Sequence, residues 1–359
     1  HGNVYVTNNS VLTIDPGTVI IGDAATKGTL IITKGSKIMA EGQETDPIIF
    51  TSNASMKKAG DWGGLVILGD APINKFGSVG SYNMDLDPAL TVYGGNNVAS
   101  SSGILKYVRI EFAGRKVKGA DAFNGLTVAG AGNKTVLENI MVSFSGGVSF
   151  AFYGGDVNAS QLVSYKSIND DFKITQGAQC RLFNSLAVRS SYLSSNKDGS
   201  RCLEVKAYEK KNETDFTKKS TFVSASNLTL LNDSENIKAD VQSGLVKEAI
   251  YVGENTALEL KRSVVSGFNP GVLLDSKTEM NGVSLKKIKF EEMFFNQCTG
   301  NIFTENNTDN SDLENWYGNS IFSNVYSQTD NKETFVDIYN AKRPDYRLQL
   351  GKITASSGR

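Results

Sequence analysis

Short runs of β-branched and aliphatic residues recur along the chain, and they are what most constrains its fold. Gly, Pro and polar residues separate the runs, as at Pro16-Gly17 and Asp46-Pro47, which is typical of strands joined by turns. No segment of useful length carries a clean helical period, and the nearest, 287–295, is equally compatible with a strand. The sequence therefore predicts an all-β protein. Its first strands are expected at 11–14, 18–21, 30–32, 48–51 and 65–68.

Later strands can be aligned as repeats of one another. Their central apolar residues are 32, 22, 24, 42 and 36 residues apart, at Val108, Ile140, Leu162, Leu186, Leu228 and Val264. One coil of three strands needs about 20 residues at roughly 3.3 Å per residue, so the longer steps indicate inserted loops. A polar residue precedes each later centre, namely Asn139, Gln161, Ser185, Asn227 and Ser263. Stacked side chains of this type can form a hydrogen-bonded ladder, which gives a physical reason for the 32 Asn and 36 Ser residues.

A second set of strands follows half a coil later. It aligns Phe150 with Phe172 and Leu203, and the residues two positions further on share their face because strand side chains alternate. The residues between them, Ala151, Lys173 and Glu204, are expected to face solvent. In this alignment two of the three cysteines, at 180 and 202, fall on different sides. Buried free thiols are therefore expected at 180, 202 and 298, with one disulfide as the alternative.

These repeats predict one right-handed parallel β-helix over residues 1–359. The length alone, at about 150 residues per domain, would suggest two domains, but a solenoid grows without enlarging its core. Residues 1–22 are expected to form the N-terminal coil or cap, 23–311 the coils with loop insertions, and 312–359 the C-terminal coil or cap. Insertions are expected near 72–102, 208–220, 231–247 and 304–311.

Composition excludes several functional classes. The 37 Lys and Arg residues balance 38 Asp and Glu residues, so the charge footprint of a nucleic-acid binder is missing. The single histidine, His1, is terminal, so His-dependent catalysis and His-rich metal sites are not expected. The sequence contains neither a signal peptide nor an apolar run of about 18 residues that would span a membrane.

Several motifs resemble a family of secreted or cell-surface β-helix proteins of the Bacteroidota with the pectin-lyase-like fold. The opening motifs are 12–20, 28–42 and 46–52, and the more specific ones are 61–74, 107–114, 124–127, 153–155 and 169–172. Members are often lipoproteins or carry secretion-sorting tails. The resemblance implies the fold and an extracellular or outer-membrane cell-surface location, with a membrane tether through residues preceding His1. It implies no particular activity.

The resemblance also directs attention to carboxylates, since relatives carry more of them around the second set of strands. Here only Asp170, Asp171 and Glu204 remain in that sector. A hydrolase of this fold would need an acid and a base on neighbouring coils, and Asp170-Asp171 is the one suggestive pair. Adjacent strand residues point to opposite faces, so a turn or a ladder cap is the alternative for this pair.

A lyase would instead use Ca²⁺ held by carboxylates, with a basic residue as the proton acceptor. The charged residues in the right sector are Lys173, Arg181, Arg189, Arg201 and Glu204, and solvated surface charge is the alternative for each. The same sector supplies candidates for ligand binding, namely Lys173, Arg189 and Arg201. Trp62 is a further binding candidate, because its ring can stack on a sugar, and structural packing is its alternative.

Two acidic segments offer oxygen ligands at the spacing of a loose Ca²⁺ loop. One contains Asn307, Asp309, Ser311 and Asp312, and the other contains Asp85 and Asp87. Neither has Gly at the turn position. No cofactor is therefore expected, and Ca²⁺ stays as the alternative.

Two functions remain open from the sequence. Sparse catalytic chemistry favours a non-catalytic cell-surface protein that binds a glycan or a protein partner. The alternative is a polysaccharide lyase or glycoside hydrolase of the pectin-lyase-like fold.

Overall fold

The computed structural model describes residues 1–82, 84–119, 121–193, 200–306, 309–340 and 342–349. Most of the regular structure in them is short β-strand. In chain order the strands are β1 (Val4–Val6), β2 (Val11–Ile14), β3 (Val19–Gly22), β4 (Thr29–Ile32), β5 (Lys37–Glu41), β6 (Ile48–Ser52), β7 (Gly64–Leu68), β8 (Gly80–Ser81), β9 (Val92–Tyr93), β10 (Gly103–Glu111), β11 (Leu126–Ala129), β12 (Val136–Ser143), β13 (Phe150–Tyr153), β14 (Asp156–Tyr165), β15 (Phe172–Thr175), β16 (Gln179–Phe183), β17 (Leu186–Arg189), β18 (Leu203–Val205), β19 (Phe222–Ser226), β20 (Thr229–Asn232), β21 (Ile250–Val252), β22 (Ala257–Lys261), β23 (Val264–Ser266), β24 (Val272–Leu274), β25 (Ile288–Glu291), β26 (Phe294–Asn296), β27 (Ile302–Thr304), β28 (Val325–Ser327), β29 (Phe335–Asp337) and β30 (Asp345–Leu348). The short helices are α1 (Ile237–Gln242), α2 (Gly282–Leu285), α3 (Ser311–Tyr317) and α4 (Asn331–Thr334).

Two long parallel sheets run the length of the molecule. The first contains ten strands in the order β1-β4-β7-β11-β13-β15-β18-β21-β24-β27. The second contains sixteen strands and has two faces, one continuing from β14 through β16, β19, β22 and β25, the other through β17, β20, β23, β26 and β28. The predicted parallel β-helix is confirmed.

One residue per coil bends the second sheet between its two faces. These residues form a column with φ between 46° and 57°, made of Tyr107, Asn139, Gln161, Asn184, Asn227, Arg262 and Glu292. The left-handed region is unfavourable for most residues and least so for Gly and Asn. Within the column, Asn227 Nδ2 donates to Asn184 Oδ1 at 2.9 Å, so a rung of the expected polar ladder lies at the bend.

The predicted column of apolar centres is wrong by one residue at Leu186 and Val264. Leu186 pairs with Val163, and Val264 pairs with Thr229. Ser185 and Ser263 therefore occupy the centre positions, and they are not the ladder rungs. Their buried hydroxyls accept hydrogen bonds from backbone N–H groups of the preceding coil at 3.1 and 2.9 Å, which makes a serine acceptable there.

The core fills the space between the sheets with stacked side chains. The predicted alignment of Phe150, Phe172 and Leu203 is confirmed by their registers. The rings of Phe150 and Phe172 stack with centroids 5.3 Å apart. Cys180, Cys202 and Cys298 are buried free thiols, as expected.

The C-terminal residues cover both the end and one side of the solenoid. Tyr317 of α3 packs edge-on against Phe290, and its hydroxyl donates to the carbonyl of Ile288 at 2.8 Å. The elements α4, β29 and β30 then lie on the second sheet, where Phe335 and Ile338 join a buried cluster with Leu231. No helix in the described part of the chain is long and apolar enough to cross a bilayer.

Inserted loops cover the outer face of the first sheet. Tyr82 of the insertion at 72–102 lies over this face, and its hydroxyl is 3.2 Å from Thr127 Oγ1. The insertion at 208–220 is fastened to the first by an ion pair of 2.6 Å between Lys75 and Glu213. The expectation that Ala151 and Glu204 face solvent is therefore wrong, since both are buried.

Candidate functional site

Several of the predicted charged residues converge on the covered face of the first sheet. Lys173 in β15, Glu204 in β18 and Tyr251 in β21 are partners in the parallel register. They therefore occupy one outward column, about 4.8 Å apart from coil to coil. Arg201, which precedes β18, places its guanidinium 4.4 Å from the centre of the Tyr251 ring.

Glu204 lies at the centre of an ion-pair network that we call the charged cluster, formed by Lys173, Arg201, Glu204, Lys206 and Glu248. The Glu204 carboxylate contacts Arg201 Nη1 at 2.8 Å and Lys206 Nζ at 2.7 Å, with Lys173 Nζ at 3.5 Å. Arg201 Nε also contacts Glu248 at 2.5 Å. Burial opposes ionisation of Glu204, but Lys173 and Lys206 hold its pKa at about 2.

The charged cluster leaves little room for a substrate. Only 3% of the Glu204 side chain, 17% of that of Lys173 and 12% of that of Arg201 is exposed. The Lys173 ammonium is also bound by Glu209 at 3.0 Å. Each charge is thus matched by an opposite charge before any ligand arrives.

Asp170 and Asp171 point into different surroundings, as strand alternation implies. The Asp171 carboxylate pairs with Arg189 at 3.0 Å inside the coil. Asp170 Oδ1 accepts from the backbone N–H of Arg201 at 2.8 Å. Burial, with a smaller contribution from the charge of Glu204, raises the pKa of Asp170 to about 6. Both carboxyl groups are buried, and both residues lie in the irregular segment directly before β15.

Two other candidates lie away from the charged cluster. Arg181 is in β16 on the second sheet, where it pairs with Asp156 at 2.8 Å. Trp62 is buried, and its ring stacks on Phe50 with centroids 6.4 Å apart. Its Nε1 donates to the carbonyl of Glu111 at 2.8 Å, so the contacts of Trp62 are those of a core residue.

The carboxylates of Asp85, Asp87 and Asp309, from the two acidic segments, already form hydrogen bonds with other residues of the chain. Asp309 Oδ1 accepts from the N–H of Ser311 at 3.0 Å, ahead of α3, and Asp312 lies in the first turn of that helix. Asn307 lies outside the described residues. Asp85 binds Arg115 through two hydrogen bonds of 2.6 and 2.8 Å, and Asp87 accepts from the N–H of Ala89 at 2.9 Å. In the described ranges, no group of three or more His, Cys, Asp or Glu side chains is placed to hold a metal ion.

A groove of about 570 Å³ follows the edge where the first sheet turns into the second. Its walls come from segments 215–222, 253–257 and 277–288, and we call it the edge groove. Phe216 is 51% exposed on its wall and packs edge-on against Tyr208, with ring centroids 5.9 Å apart. Sequence reasoning located the insertion but missed the groove, and an exposed Phe within a charged loop was the available signal.

Charged and polar side chains line the rest of the edge groove. Its carboxylates are Asp215, Glu254 and Glu279, and its ammonium groups are Lys218, Lys277 and Lys287. Glu254 accepts from the Tyr208 hydroxyl and pairs with Lys211 and Lys277 at 3.2 Å each. Lys218 Nζ donates to the carbonyl of Lys75 at 2.6 Å and to Ser78 Oγ at 2.7 Å. Hydrogen bonds and ion pairs therefore position several of the side chains that line the edge groove.

Stacked parallel coils, a filled interior and an edge groove define a β-helix solenoid with a surface site. A family model described as a pectate-lyase-like beta helix domain matches residues 1–337, and the chain belongs to that family. No curated protein matches the chain.

Solved structures with some similarity include three carbohydrate-active enzymes, each with 9% identity. An alginate lyase from Paenibacillus sp. str. FPU-7 is covered over 99% of its length by 90% of this chain, with a TM-score of 0.29. A lacto-N-biosidase from Eubacterium ramulus is covered over 63% by 88% of this chain, with a TM-score of 0.23. The A-module of a mannuronan C-5 epimerase from Azotobacter vinelandii is covered over 88% by 85% of this chain, with a TM-score of 0.18. At these scores the similarities carry no functional argument.

Proposed function

We propose that this protein is a non-catalytic, glycan-binding β-helix protein and that the glycan binds in the edge groove. The observation that carries the proposal is the exposed ring of Phe216 on the wall of a polar groove of about 570 Å³. Ligand sites are concave, with an apolar surface for packing and a few polar groups that fix orientation. An aromatic ring can pack against the apolar face of a sugar, while the polar groups bind its hydroxyls.

The burial of the three candidate carboxylates in this sector supports a non-catalytic role. A general acid or base must reach the substrate within hydrogen-bond distance, but Glu204, Asp170 and Asp171 are buried. Asp171 pairs with Arg189, and Glu204 pairs with Arg201 and Lys206. Asp170 accepts a hydrogen bond from the backbone N–H of Arg201. The proposal therefore assigns these residues to stability, and it requires neither Ca²⁺ nor another cofactor.

The proposal places the protein outside the cell or on the outer-membrane surface. Pectate-lyase-like β-helix domains are commonly extracellular. The motifs that resemble Bacteroidota surface proteins favour the same location. A glycan or surface-protein partner is the kind of ligand that such a location offers.

A glycan panel with a parallel turnover assay tests this function. Wild-type protein is expected to be retarded by at least one immobilised polysaccharide and to release neither reducing ends nor unsaturated sugars from it. Phe216→Ala should weaken that binding by about tenfold, the equivalent of about 1.4 kcal/mol of lost packing. The matched control is Tyr192→Ala, which removes another exposed aromatic ring outside the edge groove.

Two results would overturn the proposal. Product release that disappears in Arg201→Gln or Lys173→Gln, with the fold retained, would make the protein an enzyme. Glycan binding that is unchanged in Phe216→Ala would move the site away from the edge groove.

A further inference from the structure

We infer that the glycan bound in the edge groove is neutral, a polyhydroxylated sugar chain without carboxylate groups. The inference rests on the proposed function and adds the chemical class of the ligand. It follows from the balance of charges that line the edge groove and from the carboxylate oxygens there that form no hydrogen bond with the described chain.

The lining charges balance. Three carboxylates and three ammonium groups line the edge groove, so it has no net charge with which to attract an anion. Glu254 and Lys277 already form an ion pair with each other. An anionic ligand would gain nothing from long-range attraction and would have to approach carboxylates directly.

Two of these carboxylates, Asp215 and Glu279, form no ion pair with any described residue. Asp215 Oδ1 accepts from the N–H of Thr217 at 3.0 Å and from its hydroxyl at 2.6 Å, and these bonds lower the pKa of Asp215. Glu279 Oε2 accepts from Asn281 Nδ2 at 2.7 Å. One oxygen of each carboxylate makes no hydrogen bond within the described chain.

An ionised carboxylate only accepts hydrogen bonds. The remaining oxygens of Asp215 and Glu279 can therefore accept hydrogen bonds from the O–H groups of a ligand in place of water. Sugar hydroxyl groups supply such donors. In a uronate, a carboxylate, which only accepts hydrogen bonds, takes the place of the primary hydroxyl group. A uronate placed beside either side chain would face a like charge.

The lysines do not reverse this preference. Two donor positions of Lys218 are already used by the Lys75 carbonyl and by Ser78. Lys277 is engaged by Glu254. Lys287 has neither an ion pair nor a side-chain hydrogen bond within the described residues. The charges of Lys218 and Lys287 only balance those of Asp215 and Glu279, so they give an anion no net attraction.

The edge groove also has a direction. Phe222 pairs with Ala257, and Leu258 pairs with Ile288, so its walls come from three successive coils. Two steps of about 4.8 Å give a span of roughly 10 Å along the solenoid axis. A short stretch of an extended glycan chain fits this span when it lies parallel to the axis.

Matched pairs of ligands test the inference on the full chain. Calorimetry would compare neutral oligosaccharides of glucose, galactose and mannose with uronate oligomers of the same linkage and length, at low and high ionic strength. At least one neutral oligomer should bind about tenfold or more tightly than its uronate counterpart, and its affinity should not change with salt.

Variants of the two carboxylates separate charge from hydrogen bonding. Asp215→Asn and Glu279→Gln each remove one negative charge. Each should reduce the ratio of the affinities for neutral and uronate ligands by about threefold or more while leaving the fold intact. Glu44→Gln is the matched control, an exposed carboxylate outside the edge groove.

The outcomes distinguish this inference from the function on which it rests. Salt-dependent, tighter binding of a uronate that is still lost in Phe216→Ala would overturn the inference and leave the proposed function standing. Failure of both ligand classes to bind would overturn both.

Discussion

Asp171 and Arg189 form an ion pair in which 0% and 3% of the two side chains are exposed. Arg189 Nη1 lies 3.0 Å from Asp171 Oδ2, and Asp171 Oδ1 also accepts from the hydroxyls of Ser164 and Ser167 at 2.5 and 3.0 Å. Asp171 precedes β15 of the first sheet and Arg189 ends β17 of the second. The pair therefore ties two sheets together at a corner of one coil.

Removing one member of this pair is expected to be costly. Arg189→Met leaves a buried carboxylate without its cation, which should lower the free energy of unfolding by about 3–5 kcal/mol. Adding Asp171→Asn should recover part of this loss, because the uncompensated charge is gone. Urea denaturation of both single variants and the double variant measures the coupling.

The exposed pair of Arg181 and Asp156 provides the control for this cycle. Its distance is 2.8 Å, but 43% of the Arg181 side chain is exposed, so Arg181→Met should change the stability by less than about 1 kcal/mol. Additive effects of Arg189→Met and Asp171→Asn would show that the buried pair is not coupled.

A pH effect is expected from Asp170. Burial raises its pKa from 3.8 to about 6, so the folded state keeps a proton that the unfolded chain releases between about pH 4 and pH 6. Stability from this group is therefore full below pH 4 and falls as the pH rises to 6. Asp170→Asn should lack this fall. The free energies of unfolding of the variant and of wild-type protein should therefore diverge by on the order of 2 kcal/mol across this range.

Thermal unfolding of both proteins at several pH values measures this difference. Glu204 acts in the opposite direction, because its pKa is lowered to about 2 and its stabilisation is lost as the pH falls below 4.5. Most of that loss falls below pH 4, outside the range over which the two proteins are compared. Parallel stability curves from pH 4 to pH 6 would contradict the raised pKa.

Much of the fold is predictable because its signals are local. The alternation of buried and more exposed residues in segments such as Ala257–Lys261 can be read from adjacent residues. The recurrence of similar strands along the chain then identifies a parallel solenoid. The register is harder to predict at a bend. A bend residue such as Asn184 has a left-handed backbone conformation, so the inward and outward alternation of the strand is interrupted there. Sequence periodicity therefore predicts Leu186 at a centre position that Ser185 occupies.

The candidate site depends on contacts between residues far apart in the sequence, which strand periodicity does not predict. Sequence periodicity correctly predicts that Lys173 and Glu204 share one outward column, but the loops that cover them are held by contacts between residues far apart in the sequence. Lys75 reaches Glu213 across a separation of 138 residues. The edge groove likewise forms only when segments 215–222, 253–257 and 277–288 come together, so local patterns could not reveal it.

Trp62 should be essential for stability and dispensable for glycan binding. Its ring fills the core beside Phe50, and a Cβ added at Gly22 would lie 2.5 Å from it, so the surrounding packing is tight. Trp62→Ala should lower the free energy of unfolding by about 3–5 kcal/mol. At a temperature where the variant is folded, its glycan affinity should equal that of wild-type protein. Weaker binding by a fully folded Trp62→Ala protein would restore Trp62 as a ligand contact.

Asn227 tests whether the bend column stabilises the solenoid through backbone conformation or through its ladder. Its φ is 57°, and its side-chain amide donates to Asn184. Asn227→Val should cost about 1–2 kcal/mol, because a β-branched residue is strained in this conformation. Asn227→Gly removes the strain and the hydrogen bond, so it should cost less than Asn227→Val.

Asn212→Val, at an exposed position outside the column, should be nearly neutral. An equal cost for Asn227→Val and Asn227→Gly in chemical denaturation would assign the stabilisation to the side-chain ladder, since only the hydrogen bond is lost in both.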